Sequence, residues 1–232
     1  TGGSGSSVVT WTVEAGSDVV NGSDGHYKII KSGMVTIKAT KAASTGYEAV
    51  SDTWTFLASP KPVEAIVTAA DKDYDGRRDA TLSVAYDGLL SGDNISGSVT
   101  ATGQFTDARV GAGKTVIVTL TVPTSVSEKY EISYPKTITA SITQAAPEVT
   151  APTVNATPLT YNGAEQALLA NEGSATGGNI MYSLDGGVTY SYTAPKAKDA
   201  GTYTIWYKAV ASDENHKDTA PVKAGDVTIA QN

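Results

Sequence analysis

Apolar and polar residues alternate with a period of two in five long stretches of this chain. They are VVTWTVE (Val8 to Glu14), MVTIKATK (Met34 to Lys41), TVIVTLTV (Thr115 to Val122), TITASIT (Thr137 to Thr143) and TYTIWYKAV (Thr202 to Val210). Side chains of an extended strand point alternately to opposite faces, so each stretch predicts a half-buried β-strand. Clusters of Gly, Asn, Asp, Ser and Pro, the residues that build turns, lie between them. Helical spacing is nearly absent: only AEQALLANEG (Ala164 to Gly173) has a helix-like composition, and it is too short to change the class. The pattern predicts an all-β chain. An abundance of Thr, Val and Tyr, which suit a pleated surface, points the same way.

Two proline-bearing stretches, ASPKPVEA (Ala58 to Ala65) and QAAPEVTAP (Gln144 to Pro152), follow strand-like runs. Proline cannot donate to a ladder and stiffens a connection, so both are expected to be linkers. They divide the 232 residues into segments 1–60, 61–147 and 148–232, each the size of a small domain. The last two segments are a diverged repeat. Tyr74-Asp75-Gly76 is matched by Tyr161-Asn162-Gly163 at an offset of 87 residues (161 less 74). Gly113 and Gly201, 39 and 40 residues after those tyrosines (113 less 74; 201 less 161), open the long strands GKTVIVTLTV and GTYTIWYKAV. Ile142 and Ile229 follow at 29 and 28 residues (142 less 113; 229 less 201).

Charge and composition narrow the partners. The net charge is −7, so an acidic surface repels phosphate backbones, and nucleic acid and anionic membranes are not expected partners. No cysteine is present, which excludes disulfides, thiolate metal sites and a cysteine nucleophile. No apolar run is long enough to span a membrane, and no signal peptide is visible. TGGSGSS at the start reads as a linker, so the chain is expected to be a piece of a longer protein.

The middle stretch YDGRRDATLSVAYDGLLSGDNISGSVTATGQFTDARVGAGKTVIV resembles the Tyr-Asp-Gly repeat domain of bacterial surface proteins, through YDG, SGD, TATGQF and VGAGK. The final segment, with LTYNGAEQ, DAGTYTIWYKAV and DENHKDT, resembles a related Ig-like module of bacterial extracellular proteins. VTWTVEAGSDVV and SGMVTIKATKA in the first segment are similar to the C-terminal part of a group 2 bacterial Ig-like domain. The two strands that usually precede VTW there have no counterpart, so this module is expected to be cut short or to take strands from elsewhere. These resemblances imply tandem Ig-like β-sandwich modules in an elongated array. They also imply a non-catalytic spacer or adhesive segment, monomeric, extracellular or on a bacterial cell surface, with a surface glycan or a host protein as its partner.

DKDYDGRRD places Asp71, Asp73, Asp75, Gly76 and Asp79 at positions 1, 3, 5, 6 and 9 of a calcium loop, but Leu82 stands where a bidentate Glu belongs. The repeat keeps Tyr161 and Gly163 with no acid before them, so Tyr74-Asp75-Gly76 and Tyr161-Asn162-Gly163 read as structural turns. Apart from that calcium alternative, no cofactor is expected. GAGKT (Gly111 to Thr115) imitates a phosphate loop but leads into a strand and reads as a hairpin turn. His26 and His216 fall in different segments, and no nucleophile elbow or metalloprotease motif occurs, so no enzyme is expected. Lys38 should face solvent, and Lys208 is the remaining candidate for a side-chain crosslink. Tyr182, Tyr190 and Tyr192, with Tyr190 and Tyr192 expected on one face, form the alternative, a carbohydrate-binding surface. Tyrosine that replaces phenylalanine in the core is the plainer account of them.

Overall fold

The computed structural model describes residues 8–231, so the TGGSGSS stretch lies outside the described residues. The chain is all-β: its one α-helix among the described residues has four residues. In the first segment the strands are β1 (Val9–Ala15), β2 (Val20–Ser23), β3 (His26–Ile29), β4 (Gly33–Lys41) and β5 (Val50–Ala58). β4 is the centre of an antiparallel sheet ordered β1-β4-β5, with Trp11 opposite Ala39, and Trp54 opposite Ile37. Val9, Trp11, Val13, Val35, Ile37, Ala39, Trp54 and Phe56 therefore stand on one face. The β2–β3 hairpin packs Val19, Val20 and Tyr27 against the Val35 end of that face.

The middle segment contributes β6 (Lys61–Ala69), β7 (Lys72–Asp73), β8 (Asp79–Ala80), β9 (Leu82–Asp87), β10 (Thr100–Phe105), β11 (Gly111–Thr121), α1 (Thr124–Ser127), β12 (Tyr130–Ser133) and β13 (Thr137–Thr143). They form two sheets, ordered β7-β13-β11-β10-β8 and β12-β6-β9. Val63, Ala65 and Val67 of β6 share a core with Val118 and Leu120 of β11, Ala101 of β10 and Ile138 of β13, so this is a two-layered β-sandwich. The expected linker Ala58–Ala65 is instead the last residue of β5, a two-residue joint and the first half of β6. Pro62 is tolerated there because β9 pairs with β6 only from Glu64 onward, leaving β12 as the neighbour at Pro62. The helix α1, which no periodicity announced, starts after Pro123 and is anchored by buried Val126.

In the last segment lie β14 (Glu148–Thr150), β15 (Thr153–Val154), β16 (Leu159–Thr160), β17 (Gln166–Ala167), β18 (Leu169–Asn171), β19 (Ser174–Thr176), β20 (Gly178–Ser183), β21 (Lys196–Ala197), β22 (Gly201–Ala211) and β23 (Val222–Ala230). The main sheet is ordered β16-β23-β22-β20, and the pairs β14-β19, β15-β18 and β17-β21 accompany it. The helix-like stretch Ala164–Gly173 is extended. Leu168 and Leu169 are buried against Ile205, Val227 and Ile229, so tertiary packing overrides a weak local preference. β14 occupies the middle of the second expected linker.

Cα packing divides the chain into two units. One is Thr1–Ala69, Thr81–Gly103 and Ile117–Ile138; the other is Ala70–Ala80, Gln104–Val116 and Thr139–Asn232. The first unit holds the core around Val63 and Tyr130 and the smaller one around Val35, and the second holds the core around Ile205.

Candidate functional site

The repeat is visible atom by atom. β7 runs parallel to β13 with Lys72 opposite Ile142, and β16 runs parallel to β23 with Leu159 opposite Ile229. Both residues of the second pair follow those of the first by 87 (159 less 72; 229 less 142). The Tyr74 amide donates to the Thr143 carbonyl, and the Tyr161 amide to that of Ala230, each at 2.9 Å. Next, Asp75 Oδ1 accepts the Arg77 amide at 2.9 Å and Asn162 Oδ1 accepts the Ala164 amide at 3.0 Å. Gly76 and Gly163 then turn the chain at φ of 74° and 76°, where a side chain would strain the backbone. In both copies the motif is an Asx turn that ends an edge strand. Tyr74 is half-buried, whereas Tyr161 is exposed.

Three of the four candidate calcium ligands are engaged with separate partners. Asp71 accepts the Ser141 amide at 2.6 Å, and Asp73 accepts the Thr143 hydroxyl at 2.5 Å. Asp75 also accepts the Lys72 ammonium at 2.8 Å; this bond and the Arg77 amide hold its carboxyl below the usual carboxylate range. Asp79 lies in β8, and Leu82 packs on an apolar core. Among the described residues no group of three or more His, Asp or Glu is placed to hold a metal ion. Because Asn162 makes the same turn as Asp75, Asp75→Asn is expected to change stability by no more than about 0.5 kcal/mol in urea denaturation. Asp75→Ala, which leaves the Arg77 amide without its acceptor, should lose about 1 kcal/mol.

GAGKT proves to be the first residues of β11 rather than a separate turn, with Lys114 paired to Asp107 at 2.8 Å. Lys38 is paired with Glu14 at 3.1 Å, and the Lys208 ammonium lies 4.8 Å from the centre of the Tyr190 ring. His26 begins β3 in the first unit, and His216 belongs to the second.

The expected tyrosine face does not form. Tyr182 is buried, donates to the Glu172 carbonyl at 2.5 Å, and has its phenol pKa pushed up by burial. Tyr190 is half-buried, with its hydroxyl enclosed and lacking a hydrogen-bond partner. Tyr192 is exposed. Ser191 bridges to Tyr182 and the chain bends immediately afterwards, so Tyr190 and Tyr192 are not successive positions of one strand. An open cleft of about 500 Å³ is lined by Tyr182, Tyr190, Glu165, Thr189 and Lys196 among others, with Tyr192 outside it. The turn beside it is built on Asp185, whose carboxylate accepts the Ser183 and Thr189 hydroxyls at 2.6 Å each and the Val188 amide at 3.0 Å. Those bonds hold its pKa well below the usual range. A carboxyl with a lowered folded pKa stabilises above its unfolded value, about 3.9, and this contribution fades as pH falls through the folded value. Acid unfolding is therefore expected to depend less steeply on pH in Asp185→Asn than in the parent, as followed by circular dichroism.

DENHKDT, quoted above only as a mark of resemblance, performs a structural task that the sequence did not disclose. It lies between β22 and β23 and grips the start of the second expected linker, all within the second unit. The Asn215 carbonyl accepts the Ala145 amide at 3.1 Å, and the Ala145 carbonyl accepts the Lys217 amide at 2.9 Å. Asn215 Oδ1 accepts the Val110 amide at 3.1 Å, and the Gln144 side chain donates to the Glu214 carbonyl at 3.1 Å. Asp213 binds His216 Nδ1 at 2.8 Å, which lowers the carboxyl pKa. The edge of the imidazole meets Tyr74, with ring centres 5.3 Å apart.

Residues 59–140 match the family model of the YDG domain. No curated protein matches the chain. Two solved structures of Drosophila N-cadherin are similar to it. The EC1-3 fragment is 12% identical, with 97% of this chain and 89% of that chain covered and a TM-score of 0.29. The EC1-4 fragment is 10% identical, with 97% and 67% covered and a TM-score of 0.26.

Proposed function

We propose that this chain is a non-catalytic structural spacer of a bacterial extracellular or cell-surface protein, with modest adhesive capacity toward a surface glycan or a host protein. Its modules are residues 1–60, 61–147 and 148–232, and it works as a monomer without a cofactor. The observation that carries the reading is the Asn215–Lys217 grip on Gln144 and Ala145, which turns a proline-containing connection into a fixed joint. A spacer transmits position only if its joints do not bend freely. The bacterial setting rests on the resemblance of the middle module, and Asp71, Asp73, Asp75 and Lys114 support the reading by being engaged in turns and pairs. Limited digestion with a broad-specificity protease tests it: residues 144–152 should survive under native conditions, and early cleavage there would contradict a fixed joint. Metal-stripped protein should melt at the same temperature with and without millimolar Ca²⁺; a rise abolished by Asp73→Ala would restore the calcium loop.

The second reading, a carbohydrate-binding module, draws on the cleft beside Tyr190 and on exposed Tyr192. A glycan array probed with the whole chain separates the two. No reproducible signal is expected, and binding lost on Tyr192→Ala would replace the spacer with a lectin-like module.

A further inference from the structure

The chain holds two Asn-Gly pairs, Asn21-Gly22 and Asn162-Gly163, and the fold treats them differently. An asparagine in such a pair loses ammonia when the glycine amide nitrogen attacks its side-chain carbon, because no β-carbon on the glycine shields that nitrogen. The rate depends on how well the backbone brings the two atoms together. In the turn after β16, Asn162 folds its carboxamide back over the Gly163–Ala164 peptide, and Oδ1 accepts the Ala164 amide at 3.0 Å. That amide stands where negative charge develops during attack on Cγ, which is the placement of an oxyanion donor. The Gly163 amide lies between them and donates to no group among the described residues, and all three residues are exposed. We propose that Asn162 is a modification site, at which the turn itself promotes deamidation by water.

The reaction needs no other reagent. The Gly163 nitrogen gives its proton to solvent and bonds to Asn162 Cγ, the Cγ–Nδ2 bond breaks, and ammonia leaves a succinimide ring behind. Water then opens the ring at either carbonyl, with no change of oxidation state. Cleavage of the Cγ–nitrogen bond gives aspartate, which keeps the turn, since Asp75 makes the same turn in the first copy. Cleavage on the other side gives isoaspartate, whose backbone runs through Cβ and withdraws the oxygen from the Ala164 amide. Two neighbours serve as internal controls. Asp75-Gly76 has the Arg77 amide on Oδ1 at 2.9 Å, but Lys72 and that amide hold its carboxyl ionised, and a carboxylate resists attack by nitrogen. Asn21-Gly22 lies inside β2, with Asn21 opposite Lys28 and Gly22 opposite Tyr27. A Cβ built on Gly22 would stand 2.0 Å from the His26 carbonyl oxygen, so this peptide cannot swing toward the Asn21 side chain without opening the hairpin.

The test is incubation of the whole chain at mildly alkaline pH, followed by peptide mass spectrometry that reads the conversion of amide to acid at each asparagine. In the native protein Asn162 is expected to deamidate about tenfold faster than Asn21. In concentrated urea the two pairs lose their folded surroundings, and their rates should converge. Asp75→Asn places another Asn-Gly pair in the equivalent turn, so position 75 should then also outpace Asn21. Equal native rates at Asn162 and Asn21 overturn the proposal. So does a rate at Asn162 that rises in urea, which would show that the turn protects the amide. Position 75 as slow as Asn21 in Asp75→Asn overturns it equally, because the turn would then not be the cause.

Discussion

Tyr130→Ala should lower the stability of the first unit by about 3–5 kcal/mol, the usual cost of emptying a buried aromatic site. Tyr130 is 1% exposed and is the largest fully buried side chain among the described residues. Its ring packs with Val63, Ala65, Ile95, Val118 and Leu120, which come from both sheets and from the loop after β9. Its hydroxyl donates to the Asp93 carboxylate and accepts the Leu90 amide at 3.2 Å, while Asp93 is also paired with Lys129 at 2.6 Å. The side chain thus fills the sandwich and ties the SGD loop to β12. Tyr130→Phe separates the two roles: it keeps the ring, leaves the Leu90 amide without an acceptor and should cost about 1–2 kcal/mol. Since domains are stable by only about 5–15 kcal/mol, the alanine variant should show a clearly lower urea midpoint. Equal midpoints for Tyr130→Phe and the parent would mean that the hydroxyl bonds contribute nothing net.

The residues that were legible in the sequence are those whose information is local. Alternation in TITASIT predicted β13 to the residue, and the 87-residue offset predicted which strands correspond before any pairing was known. Tyr74-Asp75-Gly76 was readable as a turn because a second copy, with Asn162, served as a control. What was not legible depends on partners distant in sequence. Pro62 sits in a strand because β9 ends before reaching it, a matter of register between segments. Tyr190 and Tyr192 have the spacing of a shared face, yet the bridge from Ser191 to Tyr182 bends the chain. Trp11 looked like an ordinary strand residue, since alternation states which face a side chain takes and not whether that face is covered. Half of the grip of DENHKDT is backbone hydrogen bonding between Ala145, Asn215 and Lys217, which no side-chain pattern announces.

Gly177→Ala should release that grip. Gly177 joins β19 to β20 at φ of 82°, where an alanine costs about 1–2 kcal/mol in backbone strain alone. An added Cβ would also stand 2.4 Å from His216 Nε2 and within 2.6 Å of two ring carbons, closer than any real contact. The ring has little room to retreat, because Asp213 holds Nδ1 and Tyr74 packs against it. Displacing His216 therefore disturbs the loop that holds Ala145. Gly186→Ala supplies the control: its φ is 77°, but nothing lies within 4 Å of the added Cβ, so it bears the backbone strain without the collision. Gly177→Ala is expected to melt below Gly186→Ala, and its second unit should become cleavable at residues 144–152. Removing the ring removes the collision, so His216→Ala should partly rescue Gly177→Ala, with a double-mutant coupling above about 0.5 kcal/mol. Additive effects of the two substitutions would mean that the imidazole is not what holds the joint, which would then depend on the Asn215 and Lys217 backbone bonds alone.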